Sequence, residues 1–509
     1  MSMGSNSRKN GVLISYFYTA AQIIVQLVYV PLLLSCIGRS EYGLYQLVGS
    51  VMSYVVSINS VLASGVGRYY CMYKVDGDES MAENTLAIAK RMYWVLSGLS
   101  LIIVGILILV LRSVYEGIFS AAQLNECSYM LVVLGLNTVV TMNNTINIAA
   151  ITAEEKFVFL KCSQLVTLLM QPVLVLILAQ YMPNALSVTL VILAMNILSA
   201  TAQRLFARSI LKVSYKYHGW DKKLARGLLG FSVAIVLVTM ADQIFWKTDQ
   251  LIVGYFYGAD AVAVYAVGSQ VYTAYMVVGT SISSVFLPRV SELYHKDNNL
   301  GEISRLFARV GRISFLVCGL ILGGFLVVGR DFVALWAGNQ YSSAYFIAII
   351  VMVPFTIDLV QNLGLVILQV ANKYMFRGYM YLTIALLNVV LTVVLVQTVG
   401  LVGAAASTAF AMILGNGFLM NWYYSKRIGV DIGYFWTQLC GVIIPAAICT
   451  ICFSVLYWFT PLNHSSWFFI IVAIIVYVVL YAIVQWKFGL NEYEQMLVRQ
   501  LFHKVNDGD

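Results

Sequence analysis

Apolar and polar residues follow one another along this chain in long blocks. Fourteen blocks hold about 20 mostly apolar residues or more, the length that an α-helix needs to cross a bilayer. They predict fourteen membrane-spanning helices, spans 1 to 14, at 12–36, 43–66, 92–111, 127–150, 163–182, 185–203, 228–256, 261–288, 313–336, 342–369, 378–397, 401–423, 436–458 and 464–486. We therefore predict an all-α polytopic membrane protein.

The composition supports this prediction and excludes most soluble functions. Of the 509 residues, 61% are hydrophobic and 11% are charged, and the mean hydropathy is +0.83. Soluble domains are nearer one quarter charged, and a soluble chain of this kind would expose too much apolar surface. Soluble catalysis and nucleic-acid binding are thus excluded. The sequence has no G-x-x-x-x-G-K-[ST] phosphate loop, and we expect no cofactor and no metal.

Basic residues are distributed unevenly between the two sides that the fourteen spans define. One side carries Arg39, Arg112 and Arg330, and Lys247 lies within span 7. The other 27 of the 31 Lys and Arg residues lie on the side that holds both termini. The positive-inside rule places this side, with both termini, in the cytoplasm. The net charge of +8 therefore has a topological explanation.

An internal repeat divides the chain. Gly38 and Tyr45 recur as Gly258 and Tyr265 at an offset of 220 residues. The segment 141–180 recurs at an offset of 217, which pairs Lys156 with Lys373, so spans 1–6 and 7–12 are predicted to be two parallel repeats. The predicted units are an N-terminal lobe (1–225), a C-terminal lobe (226–427) and spans 13–14 with a cytoplasmic tail (428–509). Such repeats are typical of transporters that alternate access to a central site.

Three ionisable side chains lie within span 7, where a charge at the bilayer centre costs about 2.5–3.5 kcal/mol. They are Asp242, Lys247 and Asp249. Helical spacing places the two aspartates on one face, about 10 Å apart, and Lys247 on another. One interpretation is an ion pair of Lys247 with an aspartate that holds helices together. The other is a gate that binds a headgroup or couples transport to a proton or sodium ion.

Asp358 is the acidic residue of span 10, and it begins a polar stripe with Gln361, Asn362 and Gln369. Its partner in the repeat is Thr141 of span 4, which has a stripe of its own. For span 4 we favour hydrogen bonds between helices, which contribute about 0.6–2 kcal/mol a pair. For Asp358 such a structural role and a role in ion coupling are equally open.

Hydroxyl, amide and phenol groups mark one side of several other spans. They include Gln22 and Gln26 of span 1, Ser53, Ser57 and Asn59 of span 2, and Tyr265, Ser269, Gln270, Tyr272 and Tyr275 of span 8. Because spans 1 and 2 repeat as spans 7 and 8, these residues are expected to line one lightly charged cavity. Such groups bond sugar hydroxyls, and tyrosine rings stack on sugar rings, so a sugar suits the cavity better than a drug cation.

Two arginines, Arg68 after span 2 and Arg289 after span 8, lie near related positions at the predicted cytoplasmic mouth. Their guanidinium groups could bind a diphosphate bidentately. The simpler interpretation, which we favour, is that they anchor the helices at the interface.

The eight cysteines are scattered. Cys449 and Cys452 form a C-x-x-C pair inside an apolar helix and are interpreted as packing residues.

Several motifs resemble the O-antigen (polysaccharide-repeat-unit) flippases of the multidrug/oligosaccharidyl-lipid/polysaccharide exporter superfamily. They are KTDQLIVGYFYGADAVAVYAVGSQV, IGRSEYGLYQL, FLPRVSEL and LQVANKY. The resemblance implies a two-lobed transporter of the bacterial inner membrane that moves an undecaprenyl-diphosphate-linked oligosaccharide to the periplasmic leaflet. It also implies a cationic cavity for the headgroup and a lipid-tail groove beside spans 13–14. The chain departs from that pattern because Lys247 is the one base within its spans.

Two other functions compete with this hypothesis. A multidrug and toxin extrusion antiporter shares the architecture, but it needs acidic residues free to attract organic cations. A membrane-embedded glycan polymerase or ligase usually has a large periplasmic loop with catalytic Arg or His, and here the outer loops are short. We expect a transporter rather than an enzyme. Its expected partners are the lipid-linked oligosaccharide, membrane lipids and, as an open possibility, a polysaccharide polymerase.

Overall fold

The computed structural model describes residues 3–230, 232–283, 286–295, 300–371, 373–460, 466–496 and 499–500. These residues form helices α1 (Met3–Ile37), α2 (Arg39–Ser57), α3 (Ser60–Val75), α4 (Glu79–Tyr115), α5 (Ala121–Ala153), α6 (Phe157–Ala179), α7 (Ala185–Leu205), α8 (Lys222–Gly230), α9 (Ser232–Ser283), α10 (Leu287–His295), α11 (Leu300–Trp336), α12 (Ala344–Val360), α13 (Leu363–Val370), α14 (Tyr374–Val399), α15 (Leu401–Met412), α16 (Met420–Tyr423), α17 (Ile432–Phe459) and α18 (Trp467–Val484). The predicted all-α class is confirmed.

The number of membrane crossings depends on two glycine breaks. Eleven helical segments are long and apolar enough to cross a membrane, and α12 with α13 forms a twelfth, bent by 45°. Two of the eleven, Phe17–Ser57 and Val238–Ser281, have 41 and 44 residues, about twice the length of one crossing. Gly38 and Gly258 interrupt them with φ of 82° and 76°, a conformation that favours glycine. Division at these glycines gives one segment for each of the fourteen predicted spans.

The chain divides into two compact units, Met1–Ala263 and Val264–Asp509. In the first unit α5 packs between α4 and α7, while α1 packs on α6. The part of α9 before Gly258 also belongs to this unit. In the second unit α11 packs against α17 and α12, and α14 packs against α15. The predicted lobe boundaries at residues 225 and 427 stay a prediction.

Aromatic pairs show the repeat in both units. In the first unit the rings of Phe159 and Phe206 stack with centroids 3.7 Å apart and planes 8° from parallel. In the second unit Phe376 and Tyr423, each 217 residues further along, stack at 3.7 Å and 5°. Aromatic pairs stabilise a fold by about 0.5–1.5 kcal/mol beyond their burial. The sequence repeat is therefore also a repeat of local packing.

Backbone turns repeat in the same way. The Lys156 amide donates to the Ile151 carbonyl (3.1 Å) where α5 gives way to α6. At the same offset of 217, the Lys373 amide donates to the Leu368 carbonyl (2.9 Å) before α14. Lys156 and Lys373 are also the N-cap residues of the helices that follow. The predicted pairing of these two lysines is thus found in the backbone.

The C-terminal helices are joined to the second unit by a buried ion pair. Arg312 of α11 is 5% exposed, and Glu494 is 3% exposed. Both carboxylate oxygens of Glu494 accept from the Arg312 guanidinium at 2.7 Å. The carbonyls of Gln438 and Gly489 accept the remaining bonds, at 2.6 and 2.7 Å. The segments 432–459 and 485–494 are therefore fixed to α11.

Candidate functional site

Polar side chains join α2 to the first half of α9 within the first unit. The Ser50 hydroxyl donates to the amide oxygen of Gln250, and Tyr54 and Thr248 share a hydrogen bond of 2.7 Å. The backbones approach closely at Gly43, where an added Cβ would overlap the Ala259 carbonyl. Small residues and hydrogen bonds of this kind hold helices together in lipid, where hydrophobicity does not drive association.

A cavity of about 590 Å³ opens in the first unit between α2, α3, α5, α7 and α9. Its polar lining consists of hydroxyl, phenol and amide groups: Tyr45, Ser53, Ser57, Asn59, Thr239 and Gln243. None of the residues described as lining it is charged. Ser53, Ser57 and Asn59 of the predicted set are part of this lining, whereas the predicted residues of spans 1 and 8 are not, and the binding of a sugar stays a prediction. Thr239 and Gln243 come from the same helix as the three predicted charged residues.

Helical spacing separates Lys247 from the two aspartates around α9. Gln250, which bonds α2, is three residues from Lys247, so helical spacing puts Lys247 on the α2 side. The same spacing puts Asp242 and Asp249 on another face, although Asp249 is still close enough to α2 to interact electrostatically with Tyr54. Asp249 is 2% exposed, whereas Asp242 and Lys247 are half-buried. No described carboxylate pairs with Lys247, and the roles of all three residues stay predictions.

The amides predicted on span 1 do not line this cavity. Gln22 is exposed and Gln26 is half-buried on α1, which packs mainly against α6. Tyr18 of the same helix lines a second cavity, of about 290 Å³, together with Thr141, Gln164 and other uncharged polar residues of α5, α6 and α7. The sequence showed the polar face of span 1, but the neighbour of that face depends on packing.

In the second unit, two residues predicted for the sugar cavity lie in the last part of α9. Tyr265 is fully buried and Gln270 is half-buried. One turn beyond Gln270, the Tyr275 hydroxyl shares a hydrogen bond of 2.7 Å with Thr356 of α12. This segment thus packs against α12 through polar as well as apolar contacts.

The two arginines predicted at the mouth lie on exposed surfaces. Arg68 is exposed on α3. Arg289 is exposed on α10 and forms an ion pair of 2.8 Å with Glu292, one turn along the same helix. An exposed pair of this kind contributes little to stability. The geometry fits interfacial anchoring, and diphosphate binding by the two arginines stays a prediction.

Asp358 has an electrostatic partner that sequence reasoning missed. Asp358 is half-buried on α12, just before the bend between α12 and α13. Arg377 of α14 is close enough to interact with its carboxylate, and the Arg377 guanidinium also lies 4.8 Å from the centre of the Tyr381 ring. The bend was not predicted, so the approach of α14 to Asp358 could not be deduced from spacing along span 10.

The polar stripe of α5 forms hydrogen bonds between helices, as predicted for span 4. Asn144 donates to Gln203 at 2.7 Å in the first unit. In the second unit Gln361, at the repeat position of Asn144, donates to Asn421 at 2.9 Å, one residue beyond the repeat position of Gln203. The two residue types are exchanged, and the acceptor of the second bond is displaced by one residue from the exact repeat position. The structural interpretation of the span 4 stripe is confirmed.

An apolar groove of about 430 Å³ lies between α11, α12 and α17 of the second unit. Apart from Thr356, Thr450 and Trp436, its lining is aliphatic, glycine or phenylalanine. Both threonine hydroxyls donate to carbonyls of their own helices, at Met352 and Ala446. The groove therefore presents an apolar surface beside the first of the two C-terminal helices.

Family comparison agrees with this architecture. A family described as polysaccharide biosynthesis protein matches residues 33–346, more than half of the chain. The chain belongs to the polysaccharide biosynthesis protein family. Its similarity to the "Probable low-salt glycan biosynthesis flippase Agl15" of Haloferax volcanii is 24% identity over 239 residues, 46% of this chain and 50% of the relative. The chain matches no more than about half the length of such curated relatives.

Solved structures show the fold of this family member. The lipid II flippase MurJ, in an inward closed conformation, has a TM-score of 0.70 over 97% of this chain and 99% of its own, at 13% identity. An inward-facing multidrug resistance MATE transporter has a TM-score of 0.61 over 79% of this chain and 93% of its own, at 12% identity. The chain is therefore a multi-pass membrane protein with the fold of these transporters.

Proposed function

We propose that this chain flips a polyprenyl-diphosphate-linked oligosaccharide repeat unit from the cytoplasmic to the periplasmic leaflet by alternating access. The product would serve O-antigen or exopolysaccharide synthesis in a bacterial inner membrane, with both termini of the chain in the cytoplasm. Family membership and the likeness to flippases support transport of a glycan intermediate. No bond is made or broken in this reaction.

The polar, uncharged cavity of the first unit carries the proposal. Sugar hydroxyls lose their hydration when they enter a membrane, and each unmatched polar group costs free energy. The six hydroxyl, phenol and amide side chains of the cavity offer both donors and acceptors in place of water. An organic cation would need a carboxylate there, and the described lining of this cavity has none.

The apolar groove of the second unit supports a substrate with a lipid tail. The hydrocarbon tail can stay in the bilayer while only the headgroup needs a polar path. A mainly apolar groove beside α17, with both of its threonine hydroxyls already hydrogen-bonded, suits a polyprenyl chain, since each buried CH₂ contributes about 0.8 kcal/mol. This arrangement agrees with the tail groove that the resemblance implies.

Net transport in one direction requires a source of free energy. Removal of the product by a polysaccharide polymerase would supply it, and so would coupling to a proton or sodium gradient. Each charge that moves across the field contributes about 2.3 kcal/mol per 100 mV. Asp242, Asp249 and Asp358 are the proposed coupling residues, because they are acidic residues that we place in the interior of the spans rather than near their ends.

The test is deletion of the gene in its own host, with lipid-linked sugars and surface glycan measured together. We expect complete repeat units to accumulate in the cytoplasmic leaflet and the surface glycan to disappear. Wild-type protein and a Gln180→Ala control, at an exposed amide, should restore the glycan. The cavity variant Asn59→Ala/Gln243→Ala should restore it at least tenfold less well at equal protein levels.

Two results would overturn the proposal. If single units reach the periplasmic leaflet but are not polymerised, the chain acts after flipping. If the surface glycan is unchanged while resistance to cationic dyes falls, the chain exports drugs instead.

A further inference from the structure

A basic cleft of about 370 Å³ lies on the first unit, between α4, α5, α7 and the segment that follows α7. Lys90 comes from α4, Arg204 from the last turn of α7, and Arg208 from the π-helical turn Phe206–Ile210. The lining contains no carboxylate. None of these three bases forms an ion pair with another described residue. Three positive charges thus converge without a counter-charge from the described chain.

The second unit shows how this protein neutralises a buried base. There Arg312 binds both oxygens of Glu494 and two backbone carbonyls. The described lining of the basic cleft lacks such a carboxylate, and its bases are more open than Arg312, since Lys90 is half-buried while Arg204 and Arg208 are exposed to a ligand from outside. An anion supplied from outside the chain would fill that role.

The floor of the cleft is held in place by a chain of hydrogen bonds. The Tyr215 hydroxyl donates to Asn147 (2.7 Å), Asn147 donates to Asn144 (3.0 Å), and Asn144 donates to Gln203 (2.7 Å). Burial raises the pKa of Tyr215, although Arg208 and Arg204 oppose the shift, so the phenol stays protonated as a donor. The Arg208 guanidinium lies 5.6 Å from the centre of the Tyr215 ring. The site is therefore built before any ligand arrives.

The cleft changes from basic to apolar along its length. On α7 the lining runs from Arg208 and Arg204 to Ile197, about 16 Å further along the helix axis. On α4 it runs from Lys90 to Trp94 one turn away, and Trp94 is 59% exposed while Ile197 is 46% exposed. A soluble anion would use only the basic end. A lipid uses both, with its phosphate among the bases and its hydrocarbon against Trp94 and Ile197.

We propose that this cleft binds the phosphate headgroup of a membrane lipid in the cytoplasmic leaflet. Its residues are distinct from those that line the polar cavity and the apolar groove. Basic pockets between membrane helices bind anionic headgroups, and one Lys or Arg contributes about a fivefold gain in affinity. The lipid is either an abundant anionic phospholipid or a polyprenyl diphosphate, since both present a phosphate ester attached to hydrocarbon.

Native mass spectrometry of the full-length protein in phosphatidylcholine nanodiscs tests this site without any transport assay. The probes are phosphatidylglycerol, undecaprenyl diphosphate and inorganic phosphate. We expect Arg204→Gln/Arg208→Gln to weaken binding of the preferred lipid about 30-fold. The charge-retaining Arg204→Lys/Arg208→Lys variant should stay within about threefold of wild type. The control Lys222→Gln/Lys223→Gln removes two exposed charges outside the cleft and should change binding less than twofold.

A second measurement avoids charge variants altogether. Brominated acyl chains quench tryptophan on contact, so brominated phosphatidylglycerol or polyprenyl lipid should quench the wild type more than brominated phosphatidylcholine does. This additional quenching should disappear in the Trp94→Phe variant. Preference for phosphatidylglycerol identifies a bulk lipid, and preference for the diphosphate identifies the transported lipid class. Binding of inorganic phosphate alone, equal binding by all variants, or equal quenching by all lipids would overturn the proposal.

Discussion

Arg312 and Lys247 both lie among apolar helices, but their surroundings differ. Arg312 has a bidentate carboxylate and two carbonyls, whereas Lys247 has no described carboxylate partner. A buried pair seldom adds net stability, but loss of one partner leaves an uncompensated charge. Arg312 is therefore a structural residue, whereas the role of Lys247 stays a prediction. The sequence predicted the position of Lys247, but Glu494 lies 182 residues from Arg312 and no spacing rule connects them.

Substitution of Glu494 tests the structural role of the buried pair. We expect Glu494→Gln to lower the free energy of unfolding by about 3 kcal/mol, because Arg312 would keep its charge without a carboxylate. The readout is the thermal midpoint of the purified protein in detergent. Glu492→Gln, two residues away and exposed, is the matched control and should leave the midpoint unchanged. Equal midpoints for both variants would show that Arg312 is hydrated.

The acidic residues of the spans make a prediction about coupling. If Asp358 carries the coupling ion, Asp358→Asn should slow transport and remove its dependence on pH or on sodium, since an amide cannot exchange a proton or neutralise a cation. The readout is lipid-linked sugar translocation in proteoliposomes over a range of pH and sodium concentration. Asp242→Asn and Asp249→Asn are assayed in parallel. Wild-type rates and ion dependence in all three variants would remove the coupling hypothesis.

At the scale of helices, block length predicts where a span lies but does not predict which surface it buries. As far as the structure describes them, the fourteen blocks fall mainly on helices, and Gly38 and Gly258 separate two pairs of them as the repeat suggested. The separation of Lys247 from the aspartates, deduced from helical spacing, stays a prediction. In contrast, the exposed position of Gln22 and the proximity of Arg377 to Asp358 depend on which helices become neighbours. The spacing of polar residues along one helix does not show which other helix packs against them.

Close packing of α2 against α9 gives a prediction for the helix pair. In Gly43→Ala the new methyl group would overlap the Ala259 carbonyl, and a backbone atom cannot rotate away as a side chain can. We expect a loss of about 1–3 kcal/mol, seen as a lower thermal midpoint. Gly98→Ala, in the middle of α4 with nothing within 4 Å of its added Cβ, should be neutral or stabilising. A stable Gly43→Ala variant would mean that the two helices separate easily.

At the scale of the whole molecule, the repeat is the feature that sequence predicts best. An offset of 217 relates the starts of α6 and α14, the stacked rings and the donors Asn144 and Gln361, while their acceptors Gln203 and Asn421 are 218 residues apart. The repeat therefore preserves contacts between positions rather than the residue types at those positions. The two units nevertheless differ in the chemistry of their cavities. The cavity lined by hydroxyl and amide groups lies in the first unit and the apolar groove in the second, and neither could be predicted by copying one repeat onto the other.

If the repeat preserves contacts, the second unit predicts which substitutions the first will accept. Phe206 of the first unit stands where the second has Tyr423, and both rings stack at 3.7 Å. Phe206→Tyr should therefore change the free energy of unfolding by less than about 0.5 kcal/mol, whereas Phe206→Ala should lower it by about 1–2 kcal/mol through lost stacking and burial. The measurement is the thermal midpoint of each variant, compared with that of the wild type. A Phe206→Tyr variant as unstable as Phe206→Ala would mean that the two sites share a position in the repeat but not a common environment.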